Sequence, residues 1–268
     1  MKKIILNILD FLFARKIFIP INIIILKLVI RFIGYNGHKN IGSSGEKKFL
    51  DKIMNNKPLL CIDVGANIGE YSKYILENSD SKVIAFEPMP ESFKKLKKIK
   101  DIFGDRFYTY NIGIGEKEEI KKLYYDNNNL QWANFNPELK KIDYLKNTKK
   151  SIKCKISTLD NFLFKNKKFI LKKIDLIKID TEGYELEVLI GAKKTIKKYK
   201  PKYIQIEYNW HHLFKNVNLY YFSQILKGYQ TYKIFPFSKE LIKINPERPE
   251  HNYFNYSNIV FIKKKISF

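Results

Sequence analysis

Cysteine is scarce in this chain: Cys61 and Cys154 are the only two in 268 residues. Their separation fits no metal-ligand spacing, and so sparse a pair builds no secreted disulfide framework. Cys61 falls within a predicted strand, where a buried thiol behaves as a small apolar group. A reducing, cytoplasmic compartment is therefore expected. Acids are also few, 27 against 50 basic residues, giving a formal charge of +23. That balance ordinarily points to nucleic acid or an anionic membrane. Here the lysines are spread along the chain, as at Lys94-Lys95, Lys121-Lys122 and Lys149-Lys150, with no nucleic-acid-binding motif beside them. They read as solvated faces first and as attraction to an anionic membrane or substrate second; nucleic acid is not an expected partner.

Two further absences concern the N-terminus. Residues 1–33 contain no small-residue cleavage site after their first apolar stretch, so they do not read as a signal peptide. They also lack the roughly 20 uninterrupted apolar residues of a spanning helix, because Lys27 and Arg31 interrupt the second stretch. Phe18, Ile21, Ile25, Leu28, Val29 and Phe32 share one helical face, and Lys27 and Arg31 another. Residues 17–33 thus suit a helix docked on a domain or pairing two copies in a homo-oligomer. They suit, second to that, a peripheral helix on the inner face of the membrane, and only marginally a spanning one. Residues 34–45 contain glycine and serine and read as a linker, so the expected division is 1–45 and 46–268.

From Glu46 onward, apolar strand-like runs alternate with helical patterns, and no internal repeat appears. Helices are expected over Glu46–Met54, Ile68–Glu77, Pro90–Lys100, Tyr184–Tyr199 and Asn218–Lys227. Strands are expected over Leu59–Val64, Lys82–Phe86, Phe107–Asn111, Ile174–Ile179, Lys202–Glu207, Tyr229–Phe235 and Asn258–Ile262. Such alternation implies an α/β fold with a mostly parallel, doubly wound sheet. The last two strands have no helix between them and should close the sheet as an antiparallel pair. Glu119–Tyr125 and Ile152–Ile156 read as extra strands around a polar insertion, residues 126–147.

The first strand ends in Asp63-Val64-Gly65-Ala66-Asn67-Ile68-Gly69. A buried strand, a glycine turn and a helix, in that order, build a nucleoside-binding crevice at the carboxyl edge of a sheet. The dinucleotide fingerprint G-x-G-x-x-G is not met, because its second glycine is missing. A ribose-bearing ligand without phosphates, such as S-adenosylmethionine, fits better, although a tight turn alone could have the same spacing. Glu87 ends the second strand 18 residues after Gly69, near the separation of about 20 at which an acid reaches a bound ribose. Pro88 then stops the strand. A second buried strand runs into Asp180-Thr181-Glu182-Gly183. Its acids could line the same edge, or could merely complement a helix dipole. A third strand ends at Glu207 and is followed by His211-His212, a candidate for general-base work. His211, His212 or Asp180 could take a proton from an acceptor, and Asp180 could instead hold a divalent cation.

These residues resemble the motifs of FkbM-type methyltransferases: Asp63 to Gly69, Phe86-Glu87-Pro88, Thr158-Leu159-Asp160, Ile177 to Glu185, Gly191-Ala192 and the strand ending at Glu207. The resemblance runs in order from about Leu59 to Glu207. It implies a seven-stranded Rossmann-like sheet and S-adenosylmethionine as cofactor. It also implies O-methylation, here expected on a sugar hydroxyl of a surface glycan or glycolipid precursor. The alternatives are a small metabolite or lipid as acceptor, or a binding module that keeps the fold without catalysis. By the same resemblance, Asp63, Gly65, Ala66, Asn67 and Gly69 form the cofactor loop, and Glu87, with Pro88 behind it, meets the ribose hydroxyls. Asn111 lies near the adenine, and Asp180 and Glu182 line the reaction centre, Asp180 facing the cofactor as well. The insertion, with Trp132, matches no placed pattern and is expected to cover the acceptor.

Overall fold

The structure, a computed structural model, describes residues 2–36, 40–55, 57–166, 171–236, 238 and 240–264. They fall into two compact units, Met1–Gly37 and His38–Phe268. The first holds α1 (Lys2–Phe13) and α2 (Ile19–Phe32). No helix among the described residues is long and apolar enough to cross a membrane. Part of the predicted linker, residues 37–39, lies outside the described residues. Residues 40–45 form a turn in which the N–H groups of Ser43 and Ser44 donate to the Asn40 carbonyl, leading into α3 (Glu46–Met54).

The second unit is built on β1 (Leu60–Val64), β2 (Lys82–Phe86), β3 (Phe107–Tyr110), β7 (Leu176–Ile179), β8 (Tyr203–Tyr208), β9 (Tyr229–Ile234), β10 (Leu241–Lys243) and β11 (Ser257–Lys263). Their order is β10-β9-β11-β8-β7-β1-β2-β3. The strands from β8 to β3 are parallel, and β11 is inserted antiparallel between β8 and β9. The expected antiparallel end of the sheet is thus present, with one three-residue edge strand, β10, added. Strand order reverses between β1 and β7, and a reversal of this kind opens a crevice beyond the carboxyl ends. The helices α4 (Glu70–Asn78) and α5 (Pro90–Phe103) connect the first three strands.

The extra strands form a separate small sheet: β5 (Glu119–Tyr125) pairs antiparallel with β6 (Lys150–Ser157), and β4 (Gly113–Ile114) parallel with β6. The insertion between β5 and β6 is less polar than its sequence suggests. Its short 3₁₀ turns bury Leu139, Ile142 and Leu145, against which Trp132 and Phe214 pack.

The helix expected over 184–199 is two helices, α7 (Glu185–Ile190) and α8 (Lys193–Tyr199). Gly191 sits at the break because a Cβ there would lie 1.9 Å from the Gly115 carbonyl oxygen. The Asp160 carboxylate accepts the N–H groups of Lys194 (2.9 Å) and Thr195 (2.7 Å), capping α8. Thr158 caps α6 (Leu159–Lys165), a helix not expected from the sequence, by accepting the Asn161 N–H at 2.9 Å. The Thr158-Leu159-Asp160 motif is accounted for by these caps.

Alternate residues of the central strands face opposite layers. Ile62, Val64, Ile177, Ile179, Ile204 and Ile206 belong to one apolar cluster. Cys61, Val83, Ala85, Leu176 and Val260 belong to the other. On the second face a polar row interrupts the apolar pattern: Asp63, Lys178 and Gln205 stand in register across β1, β7 and β8.

Replacing Asp160 with alanine removes both cap bonds of α8 and should lower stability by about 1 kcal/mol, read as a shift in urea midpoint. An unchanged midpoint would show that α8 does not depend on this cap.

Candidate active site

Four neighbouring strand ends supply acids to one edge: Asp63 on β1, Glu87 after β2, Asp180 and Glu182 after β7, and Glu207 on β8. Two loops interlock to shape this edge. Gly65 has φ +80°, and a Cβ there would lie 1.8 Å from the Asp180 carbonyl oxygen, so only glycine lets the β1 and β7 loops meet. Asn67 and Glu182 also adopt left-handed backbone, at φ 47° and 53°. Non-glycine residues bear this strain chiefly where the surrounding structure fixes them for a task.

The β1 loop turns its own N–H groups inward. Gly65 and Ala66 donate to the Phe86 carbonyl, at 2.9 and 3.0 Å, and Gly69 to the Ala66 carbonyl at 2.8 Å. The Asn67 N–H donates to Glu87 Oε2 at 2.8 Å. These amides are spent, so the loop is not the open cradle of N–H groups that holds a pyrophosphate. What the edge offers a ligand is acceptors. Asp63 is buried, with Oδ2 taking the Ser72 hydroxyl at 2.6 Å while Oδ1 has no hydrogen-bond partner. A buried orphan of this kind calls for a donor. Glu87 is fixed by the Asn67 and Met89 N–H groups, and each carboxylate oxygen keeps a second lone pair for a hydroxyl. Burial pushes its carboxyl up to about 7, against the pull of those two N–H groups. The Asn111 amide donates to the carbonyls of Glu87 (2.8 Å) and Pro88 (3.1 Å), fixing the loop that carries Glu87.

One buried cation serves this edge. Lys178 Nζ lies 2.9 Å from Asp180 Oδ2 and 4.9 Å from the centre of the Tyr71 ring. Burial pulls its ammonium down, but the Asp180, Asp63 and Glu46 carboxylates outweigh it and hold the charge in place. Behind it, Gln205 accepts from the Tyr71 hydroxyl (2.8 Å) and donates to Glu46 (2.6 Å) and Asn258 (3.2 Å).

Asp180, Glu182 and Glu207 bring carboxylate oxygens within 4.8 Å of one another. Burial and mutual repulsion raise both Glu182 and Glu207 well above the carboxylate range. Such a cluster can share protons or accept a divalent cation.

The two histidines occupy different places. His212 is buried, with Nδ1 in a capping arrangement with Asn209 and Nε2 2.9 Å from Glu185 Oε2, off the ideal hydrogen-bond line. Glu185 Oε1 in turn accepts the Thr181 N–H and hydroxyl, at 2.8 and 3.0 Å. His212 therefore braces the 180–183 loop from behind and does not face the carboxylate cluster. His211 is also buried, with Nδ1 3.3 Å from Glu182 and Nε2 2.6 Å from the Tyr144 hydroxyl. Burial lowers its imidazole to about 4, so it is neutral at pH 7. Trp210 Nε1 donates to the same hydroxyl at 3.0 Å. Trp132, Tyr144 and Trp210 form a run of neighbouring rings, with centroids 5.1 and 5.7 Å apart.

The structure thus gathers Asp63, Gly65, Ala66, Asn67, Gly69, Glu87, Asp180 and Glu182 on one edge. Asn111 and Pro88 support it, and His212 stands behind it. Sequence reasoning passed over Lys178, Glu185 and Tyr144. A lysine inside the apolar run Leu176-Ile177-Lys178-Ile179 was the available signal, since a buried lysine needs partners. Nothing in the sequence pattern of the insertion marks Tyr144.

The strand order, with its reversal at β1/β7 and antiparallel β11, is that of the Rossmann-like methyltransferases. The chain belongs to the methyltransferase FkbM domain family, whose model matches residues 63–237. Methyltransferase 1 of Beauveria bassiana is 25% identical over 182 residues, spanning 62% of this chain and 68% of that protein. AMB antimetabolite synthetase AmbE of Pseudomonas aeruginosa is 26% identical over 160 residues, which are 48% of this chain and 7% of that protein. Among solved structures, TrmK of M. capricolum in complex with S-adenosylhomocysteine aligns with a TM-score of 0.41 at 14% identity, over 83% of this chain and 70% of that one.

Burial raises the Glu185 carboxyl, but His212 and the Thr181 N–H prevail and bring it from 4.5 to about 2. A folded-state value below the unfolded one adds stability above pH 4.5 that is lost as pH falls toward 2, in all about 3 kcal/mol. Urea midpoints measured between pH 5 and 3 should therefore fall less steeply for Glu185→Gln than for the parent. Parallel pH profiles would show that this pair does not hold the loop.

Proposed function

We propose that this methyltransferase moves the methyl group of S-adenosylmethionine to a sugar hydroxyl of a glycan or glycolipid precursor. The observation that carries the cofactor reading is the polarity of the edge. Its loop amides are turned inward, while the buried Asp63 Oδ1 is left without a donor and Glu87 stands as an acceptor at the end of β2. A cofactor with an amine, ribose hydroxyls and a sulfonium charge matches such a surface, and a pyrophosphate does not. Glu87 would take the ribose hydroxyls and Asp63 a donor at its orphan oxygen.

When bound, the cofactor supplies a methyl group already activated by its positive sulfur. The chain's own part is to hold the acceptor oxygen in line with that methyl and to receive the acceptor's proton. As the acceptor oxygen takes the methyl, its O–H proton would pass to a carboxylate of the chain. Glu182 and Asp180 are the groups at hand for the proton, and Glu207 beside them can share it. His211 is covered by Tyr144 and reaches an acceptor only through that hydroxyl or through Glu182, so it positions and relays. We favour a shared proton over a divalent cation in the cluster because Lys178 already occupies Asp180 Oδ2 and Asn209 donates to Glu207.

The sugar reading draws on Trp132, Tyr144 and Trp210, partly exposed rings beside the carboxylates, whose flat faces suit the C–H faces of a sugar ring. The free, buried Cys61 and Cys154 suit a reducing cytoplasm.

Incubation with S-adenosylmethionine and glycolipid or glycan precursor fractions should yield a product heavier by one methylene. Glu182→Gln should slow turnover by roughly 100-fold or more, with cofactor affinity kept. A chelator should leave the rate unchanged. Product formation only on non-sugar metabolites would overturn the acceptor, and loss of activity with chelator would overturn the shared proton.

A further inference from the structure

The described part of the first unit cannot bury its own apolar surface. No side chain of α2 is buried, and those of α1 from Lys3 to Phe13 are exposed. Most of the exposed large apolar side chains among the described residues of the whole chain lie between Ile4 and Ile33. Exposed apolar surface of this extent marks a contact with something else.

Its charge selects the occupant. Residues 1–33 carry Lys2, Lys3, Arg15, Lys16, Lys27 and Arg31 against one acid, Asp10. A second copy would bring the same positive charge to the contact, whereas an anionic lipid surface would bring the opposite one. Lys3, Asn7 and Asp10 are spaced for one face of α1, and Lys27 and Arg31 for one face of α2. Long basic side chains can lie along apolar surface and keep their charged ends among headgroups.

The bend between the helices is finished in a way that suits this setting. The last carbonyls of a helix lack intrahelical partners, and leaving them bare in a lipid interface is costly. Here Arg15 Nε donates to the Phe11 carbonyl at 2.9 Å, with its guanidinium 4.7 Å over the Phe11 ring. Asn22 Nδ2 reaches back to the Phe13 carbonyl at 3.1 Å. Phe13 and Phe18 meet edge to face, 5.8 Å apart. Length excludes crossing: α2 has 14 residues, or about 21 Å of helix against a hydrocarbon core of about 30 Å.

From these observations we infer that α1 and α2 form an interfacial anchor, lying in the plane of an anionic phospholipid surface with their apolar sides among the acyl chains. The anchor does not rest on the methyltransferase reading, which draws only on residues of the second unit.

The test is sedimentation of the full chain with vesicles of phosphatidylcholine plus phosphatidylglycerol, and with phosphatidylcholine alone. Binding should be at least tenfold stronger to the anionic vesicles and should fall as salt is added. Lys27→Gln with Arg31→Gln should weaken it roughly tenfold or more, as should Ile25→Glu with Leu28→Glu. All four side chains are exposed, so circular dichroism and melting should not change. Three results would each overturn the proposal: no sedimentation with either vesicle, equal binding to both, or a lipid-free dimer in analytical ultracentrifugation that the same variants dissolve.

Discussion

The ammonium of Lys178 is the constraint on which the catalytic unit rests. It stands in the middle of a buried parallel strand, where a charge is costly unless it is paired. Asp180 touches it directly, and Asp63 and Glu46 add their fields from the neighbouring strand and from α3. The pairing reaches sideways through the register Asp63, Lys178, Gln205 and backward through Tyr71, Glu46 and Asn258. One cation thus lets this row of polar groups exist inside the sheet.

That single positive charge cannot neutralise every acid at the edge. Glu87, Glu182 and Glu207 are all raised above the ordinary carboxylate range by burial first. The edge is consequently short of positive charge and rich in acceptors. Such a surface favours a cationic, hydroxyl-bearing ligand and can take up a proton beside it. The inward-turned amides of the β1 loop reinforce the same preference, because they withdraw the donors that an anion would need. In the proposed reading, cofactor choice and proton handling both draw on this one electrostatic imbalance.

Most of the strand and helix order was legible because buried parallel strands and amphipathic helices leave strong periods. The glycine loop, Glu87 and Asp180 to Gly183 were legible because strand ends and glycines mark the edge of such a sheet. What was hidden depends on contacts between distant segments. The break at Gly191 follows from the Gly115 carbonyl across from it. His212 looked like a base in sequence, yet it braces Glu185 behind the loop. Tyr144 lies in an insertion with no periodic pattern, and only the fold brings its hydroxyl to His211.

The central claim is that the β1/β7 edge is built for a sulfonium nucleoside and against a dinucleotide. Calorimetric titration of the full chain with S-adenosylmethionine and, separately, with NAD tests it most directly. The account predicts saturable binding of S-adenosylmethionine, weakened at least tenfold in Glu87→Gln by loss of a carboxyl acceptor, and no binding of NAD. Saturable heat with NAD, or none with S-adenosylmethionine, would contradict it.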